Sequence, residues 1–187
     1  MRKRIFIIHG WGGNPDKDWM PWARSEIGSK DYEVIAPLMP DTDSPQIAPW
    51  VNKLKEVVGQ SNKNDILIGH SIGCQTIWRF LEGLPEGQKV DKVIMVAPWF
   101  KLTNLENEES WEIAKPWLET QIDFTKVKSK ANSFTAIFSD NDQWVPLKEN
   151  RVMLEKRFNT KIIVLHKKGH FSGEEGVSEL PEIINLL

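Results

Sequence analysis

The sequence predicts an α/β protein: a doubly wound, mostly parallel sheet of about six strands in a three-layer α/β/α arrangement. Short apolar runs recur along the chain, each is near-continuously hydrophobic rather than alternating, and helical segments separate most of them. Continuous hydrophobicity indicates strands covered on both faces. Regular strand–helix alternation gives parallel strands joined by right-handed crossovers. At 187 residues the expectation is a single domain, 1–187, with a substantial core.

The first strand is expected from Arg4 to Ile8, followed by a helix from Trp19 to Ile27 and a strand from Glu33 to Ala36. Ser44-Pro45 then reads as a helix start, with proline at the first helical position and the helix running to Val58. Asp65 to Gly69 is a buried strand, and Ile72 to Leu84 a helix. In that helix Cys74, Ile77, Trp78 and Leu81 fall at i, i+3, i+4 and i+7 and predict one buried face. Strands follow at Lys92 to Ala97, Phe134 to Ser139 and Lys161 to Leu165, with helices at Leu147 to Phe158 and from about Glu179 to Leu187. Residues 98–133 break the rhythm: no strand is evident, and the segment suits one or two helices over a site, not a full lid domain.

Composition excludes several function classes. A net charge of −2 gives no electrostatic footprint for nucleic acid, and Lys126, Lys128 and Lys130 read as a solvated face. One cysteine, Cys74, cannot form an intramolecular disulfide and fits a reducing cytoplasm. Arg2, Lys3 and Arg4 precede an apolar run too short for a signal peptide, and no stretch approaches a membrane span, so no membrane partner is expected. No His, Cys or carboxylate cluster has metal-ligand spacing, so neither a metal nor another cofactor is expected.

The most informative stretch is Gly69-His70-Ser71-Ile72-Gly73. The bare G-x-S-x-G pattern arises by composition in about one chain in twenty of this length, so context decides its meaning. Here it joins a buried strand to an amphipathic helix, the setting that presents a serine on a sharp turn as a nucleophile. Such a serine needs a base, and the base needs an acid to orient it. In this arrangement the chain order is serine, acid, histidine. Asp142 follows one apolar strand and His170 another, where catalytic side chains of open α/β sheets belong. Asp142 is preferred over Asp140, which reads as a turn carboxylate, and His170 over His166, which stands still at its strand end. His9 precedes the serine and His70 lies inside the turn, so both are expected to be structural.

The oxyanion donors expected are the backbone N–H groups of Ile72, at the positive end of its helix, and of Trp11 in the glycine-rich loop after the first strand. That loop matches neither a P-loop nor G-x-G-x-x-G. Among nine tryptophans, Trp99 and Trp144 stand near strand carboxyl ends and are candidates, with Trp11, to wall an apolar pocket for a small-molecule acyl substrate.

These motifs together, His9-Gly10-Trp11-Gly12, Gly69-His70-Ser71-Ile72-Gly73, Asp142 before Val145-Pro146, and Gly169-His170-Phe171, resemble the α/β-hydrolase superfamily. The small size, the proline-rich approach from Pro37 to Pro49, the Trp50 region and Val96-Ala97-Pro98 look similar to the compact serine hydrolases related to retinoblastoma-binding protein 9. The resemblance spans essentially the whole chain. It implies serine-dependent hydrolysis of esters, thioesters or activated amides, with Ser71, Asp142 and His170 at the matching triad positions. No L-x-C-x-E sequence occurs, so the partner-binding role behind that family's name does not carry over.

Overall fold

The computed structural model describes residues 3–158 and 160–187. The chain runs β1 (Lys3–Ile8), α1 (Met20–Gly28), β2 (Tyr32–Ile35), α2 (Ile47–Val58), β3 (Ile66–His70), α3 (Ile72–Glu82) and β4 (Val90–Val96). It continues through α4 (Glu108–Glu119), α5 (Phe124–Ser129), β5 (Ala131–Ser139), α6 (Leu147–Arg157), β6 (Lys161–Leu165), a 3₁₀ turn at Gly173–Glu175 and α7 (Pro181–Ile184). The six strands form one all-parallel sheet in the order β2-β1-β3-β4-β5-β6.

Strand periodicity divides the core. Successive side chains point to opposite faces. Phe6, Ile8, Leu67, Val93, Met95, Ala136 and Phe138 therefore pack on one side, under α2, α3, α5 and α6. Ile5, Ile7, Ile66, Ile68, Ile94, Val96 and Ile137 face the other side, against α1 and α7. Both sets are buried, which is why these strands read as unbroken apolar runs.

The sheet also locates a site. The chain lays β2 on one side of β1 and then crosses to β3 on the other. The loops leaving β1 and β3 diverge there, opening a crevice at the carboxyl ends of the strands.

Three local expectations are corrected. Helix α2 begins at Ile47 with Gln46 as its N-cap: Pro49 has no N–H to give the Pro45 carbonyl, which accepts the Trp117 indole N–H at 2.9 Å instead. The C-terminal helix is only Pro181–Ile184, and beyond it the carbonyl oxygens of Leu186 and Leu187 accept from Lys92 Nζ at 2.8 and 2.9 Å. Helix α3 is buried all round from Ile72 to Leu81 rather than on one face, since α2 and α5 flank it while the sheet lies beneath. Gln75, Thr76 and Arg79, off the Cys74-Ile77-Trp78-Leu81 face, are consequently buried polar residues.

Residues 98–133 hold α4 and α5 and no strand before Ala131. Among the described residues no helix is long and apolar enough to cross a membrane, and no group of metal-binding side chains converges.

Candidate active site

Ser71 stands between the last residue of β3 and the first of α3, with φ 51° and ψ −118°. A non-glycine residue so placed carries backbone strain of order 1–3 kcal/mol and persists only where its surroundings over-determine it. They do so here. The Ser71 N–H donates to Val96 O at 2.8 Å, and its carbonyl accepts from Cys74 N at 2.9 Å. The flanking glycines are required by close approach: a Cβ on Gly69 would lie 2.8 Å from Cys74 N, and one on Gly73 would strike the Ile8 carbonyl oxygen. Cys74 itself is core, its thiol donating to Gly69 O at 3.2 Å and held protonated by burial.

Asp142 and His170 arrive from the loops after β5 and β6. The Asp142 carboxylate accepts His170 Nδ1–H at 2.7 Å, with the two side chains 2% and 12% exposed. Its second oxygen accepts the backbone N–H groups of Trp144 and Val145, each at 3.0 Å. Because a carboxylate only accepts, this contact puts the imidazole proton on Nδ1 and leaves the Nε2 lone pair free.

The two loops are clasped residue by residue. Asp140 Oδ1 accepts Lys167 N–H at 2.8 Å, Ser139 Oγ accepts Lys168 N–H at 2.9 Å, and Asn141 Oδ1 accepts Gly169 N–H at 2.8 Å. Glu175 Oε2 then accepts His170 N–H at 2.6 Å. Gly169 has φ 52°, and a Cβ there would run into the Glu175 carboxylate. His166 is bound to Asp140 at 2.5 Å and is largely exposed, away from the Ser71 pocket. The Lys167 N–H and His166 hold the Asp140 carboxyl below its usual range.

The remaining described histidines are held by backbone groups. His9 Nε2 accepts the Met39 N–H at 3.0 Å, so its Nδ1 donates to Gly10 O at 2.7 Å. Burial depresses its basicity. His70 Nε2 donates to the His170 carbonyl at 2.8 Å, and the two rings lie 5.1 Å apart. Burial, then repulsion from His170, pushes the His70 pKa down to about 3.

In the loop after β1, Gly12 N–H is taken by Thr42 O at 2.8 Å and Gly13 N–H by Gly10 O at 3.2 Å. The Trp11 indole is tied to Asp43 O at 2.9 Å. Gly10, Trp11, Ser71, Ile72, Trp99, Trp144 and His170 line one cavity of about 430 Å³. Leu102, Leu105 and Ile113 extend its apolar wall from the 98–133 segment, and Asp43, Glu106 and Glu109 also line it. Trp144 meets His170 edge-on at 5.1 Å, and the buried Trp99 donates its indole N–H to Ser71 Oγ at 3.3 Å.

Sequence reasoning did not find the clasp. Ser172-x-x-Glu175 is a capping-box pattern and could have pointed to Glu175. Nothing in the sequence marked Ser139 or Asn141 as partners of residues 168 and 169.

Known proteins agree with this architecture. YdeN of Bacillus subtilis (strain 168) is 25% identical over 187 residues, covering 100% of this chain and 95% of its own. The crystal structure of the B. subtilis ydeN gene product superposes with a TM-score of 0.88 at 24% identity, over 98% of this chain and 96% of that one. A carboxylesterase from Nitrososphaera gargenis superposes with a TM-score of 0.71 at 16% identity, covering 99% and 88% of the two chains. The last two show a shared fold. The model of the family described as serine hydrolase matches residues 5–187. This chain, with a serine at its strained strand-to-helix turn, thus belongs to the serine hydrolase family and has the α/β-hydrolase fold.

Proposed function

We propose that the protein hydrolyses carboxylic esters of small molecules, with thioesters and activated amides open to the same chemistry, through an acyl-enzyme on Ser71. The observation that carries this reading is that His170, held by Asp142 at 2.7 Å, lines the same cavity as Ser71. His170 Nε2 takes the Ser71 proton as Oγ attacks the substrate carbonyl, and returns it to the leaving alcohol. A water then attacks the acyl group, gives its proton to His170, and Ser71 leaves and is reprotonated. Asp142 holds the imidazole tautomer and stabilises the imidazolium between these steps.

The carbonyl oxygen would be received by the N–H groups of Ile72 and Trp11. Ile72 opens α3, where the helix dipole favours negative charge. Trp11 is favoured because the N–H groups of Gly12 and Gly13 are already taken. The acyl group would lie against Trp99, Trp144 and Leu102. The reaction needs no cofactor. We read residues 1–187 as one catalytic domain, with 98–133 supplying a wall of the site and not a full lid, and the single buried cysteine suits a cytoplasmic enzyme.

The test is hydrolysis of p-nitrophenyl esters from acetate to octanoate by wild type and Ser71→Ala at pH 7–8. The expected result is turnover that falls about a thousandfold or more in the variant. Equal background rates, together with no labelling of Ser71 by a fluorophosphonate, would leave only a non-catalytic scaffold.

A further inference from the structure

Trp99 follows the end of β4 and is 1% exposed, with its indole Nε1 3.3 Å from Ser71 Oγ. We propose that this N–H is a catalytic group acting on the nucleophile itself: it stabilises negative charge on Ser71 Oγ as its proton leaves in acylation and again as the acyl–serine bond breaks in deacylation. The inference rests on Ser71 being the nucleophile.

Two buried amides hold the Trp99 segment. Gln75 Nε2 donates to Trp99 O at 2.8 Å, and its own Oε1 accepts from the Arg79 guanidinium. Asn150 Oδ1 accepts the N–H groups of Phe100 and Lys101 at 2.7 and 2.9 Å, while its Nδ2 donates to Lys101 O and Pro146 O. Gln75 is 3% exposed and Asn150 fully buried. Burying a primary amide is unfavourable unless its hydrogen bonds are made, and it adds direction that apolar packing lacks. From α3 and α6 the two amides fix the backbone of residues 99–101, and with it the aim of the indole.

Indole nitrogen only donates. Ser71 Oγ has one proton and two lone pairs. In the proposed reaction the proton goes to His170 Nε2 and the O–H electron pair stays on Oγ; one pair then bonds the carbonyl carbon, and another faces Trp99. As the O–H bond breaks, Oγ gains negative charge, and a hydrogen bond to a charged oxygen is stronger than one to a neutral hydroxyl. In deacylation the C–Oγ electron pair returns to Oγ, which the indole again stabilises until His170 reprotonates it. The indole proton itself never transfers. This role differs from that of Ile72 and Trp11, which would face the carbonyl oxygen.

The test is replacement of Trp99 by 3-benzothienylalanine, which keeps the bicyclic shape and puts sulfur where the N–H was, alongside Trp99→Phe. With p-nitrophenyl butyrate, kcat should fall about 10- to 100-fold, while KM stays within about threefold. The rate of Ser71 labelling by a fluorophosphonate should fall in parallel. If Trp99→Phe does not fold, the near-isosteric replacement carries the test alone. Wild-type kcat and labelling rate in the benzothienyl protein would overturn the role of Trp99 and leave the hydrolase reading standing. Absence of Ser71 labelling in wild type would overturn both.

Discussion

The backbone N–H of His170 donates to the carboxylate of Glu175, five residues further along the chain, at 2.6 Å. The same Oε2 accepts the Ser172 hydroxyl at 2.9 Å, so the segment closes on itself. With Ser139, Asp140 and Asn141 holding residues 167–169, four consecutive backbone N–H groups end on side chains. The His170 ring is thus aimed by its backbone as well as by Asp142.

Loosening that clasp should cost rate more than binding. Glu175→Ala is expected to lower kcat about 10- to 100-fold, the range for misplacing a catalytic group by about an ångström. KM should change little. Steady-state kinetics on a p-nitrophenyl ester check this, and a variant with wild-type kcat would refute it.

The two acids of the β5 loop should separate cleanly. Asp142→Asn removes the acceptor that sets the His170 tautomer and is expected to lower kcat about 10³- to 10⁴-fold. Asp140→Asn keeps an oxygen for the Lys167 N–H and should stay within about threefold of wild type. The opposite ranking would move the orienting acid to Asp140.

The turn glycines should respond as their surroundings dictate. Gly73→Ala drives a methyl group into the Ile8 carbonyl oxygen. A clash of that kind costs about 1–3 kcal/mol, equivalent to roughly 3–10 °C in Tm at this size. Gly28→Ala, at the end of α1 with no atom within 4 Å of the new methyl, should stabilise by about 0.5–1 kcal/mol. Thermal unfolding of both variants reads the contrast.

His70 should shape the acid limb of stability. Its pKa is about 3 in the native state against 6.5 ordinarily, so between those values the unfolded chain binds one more proton. Stability is therefore full above about pH 6.5 and falls as pH drops towards 3, by up to about 1.4 kcal/mol per pH unit from this group. His9 is depressed in the same direction and adds to the slope. Denaturant titrations from pH 7 to 4 should show a shallower decline in His70→Gln. An unchanged slope would mean that the His70 imidazole binds its proton alike in the folded and unfolded chain, and would refute this role.

Much of this was legible from local pattern. Ile66 to Gly69, Val93 to Val96 and Ala136 to Phe138 are strands buried on both faces, so their apolar runs carried the sheet, and serine between Gly69 and Gly73 carried the turn. The start of α2 follows Pro45 by two residues because Pro49 cannot donate to the Pro45 carbonyl, which Trp117 satisfies instead. The burial of Gln75 and Arg79 was hidden because periodicity describes one helix against one surface, and α3 has neighbours on every side.

The α/β class, the strand-to-helix serine turn and a short set of acids and histidines at strand ends are readable in the residue order. These follow from side-chain period and backbone sterics, which act within a few residues. The contacts of Asp142 with His170 across 28 residues, of Asp140 with His166, and of the Trp99 indole with Ser71 arise only in the assembled fold. Such pairings depend on strand order and loop geometry. Hydrogen bonds are made or lost over a fraction of an ångström, a precision that exists only once the sheet has brought the loops together.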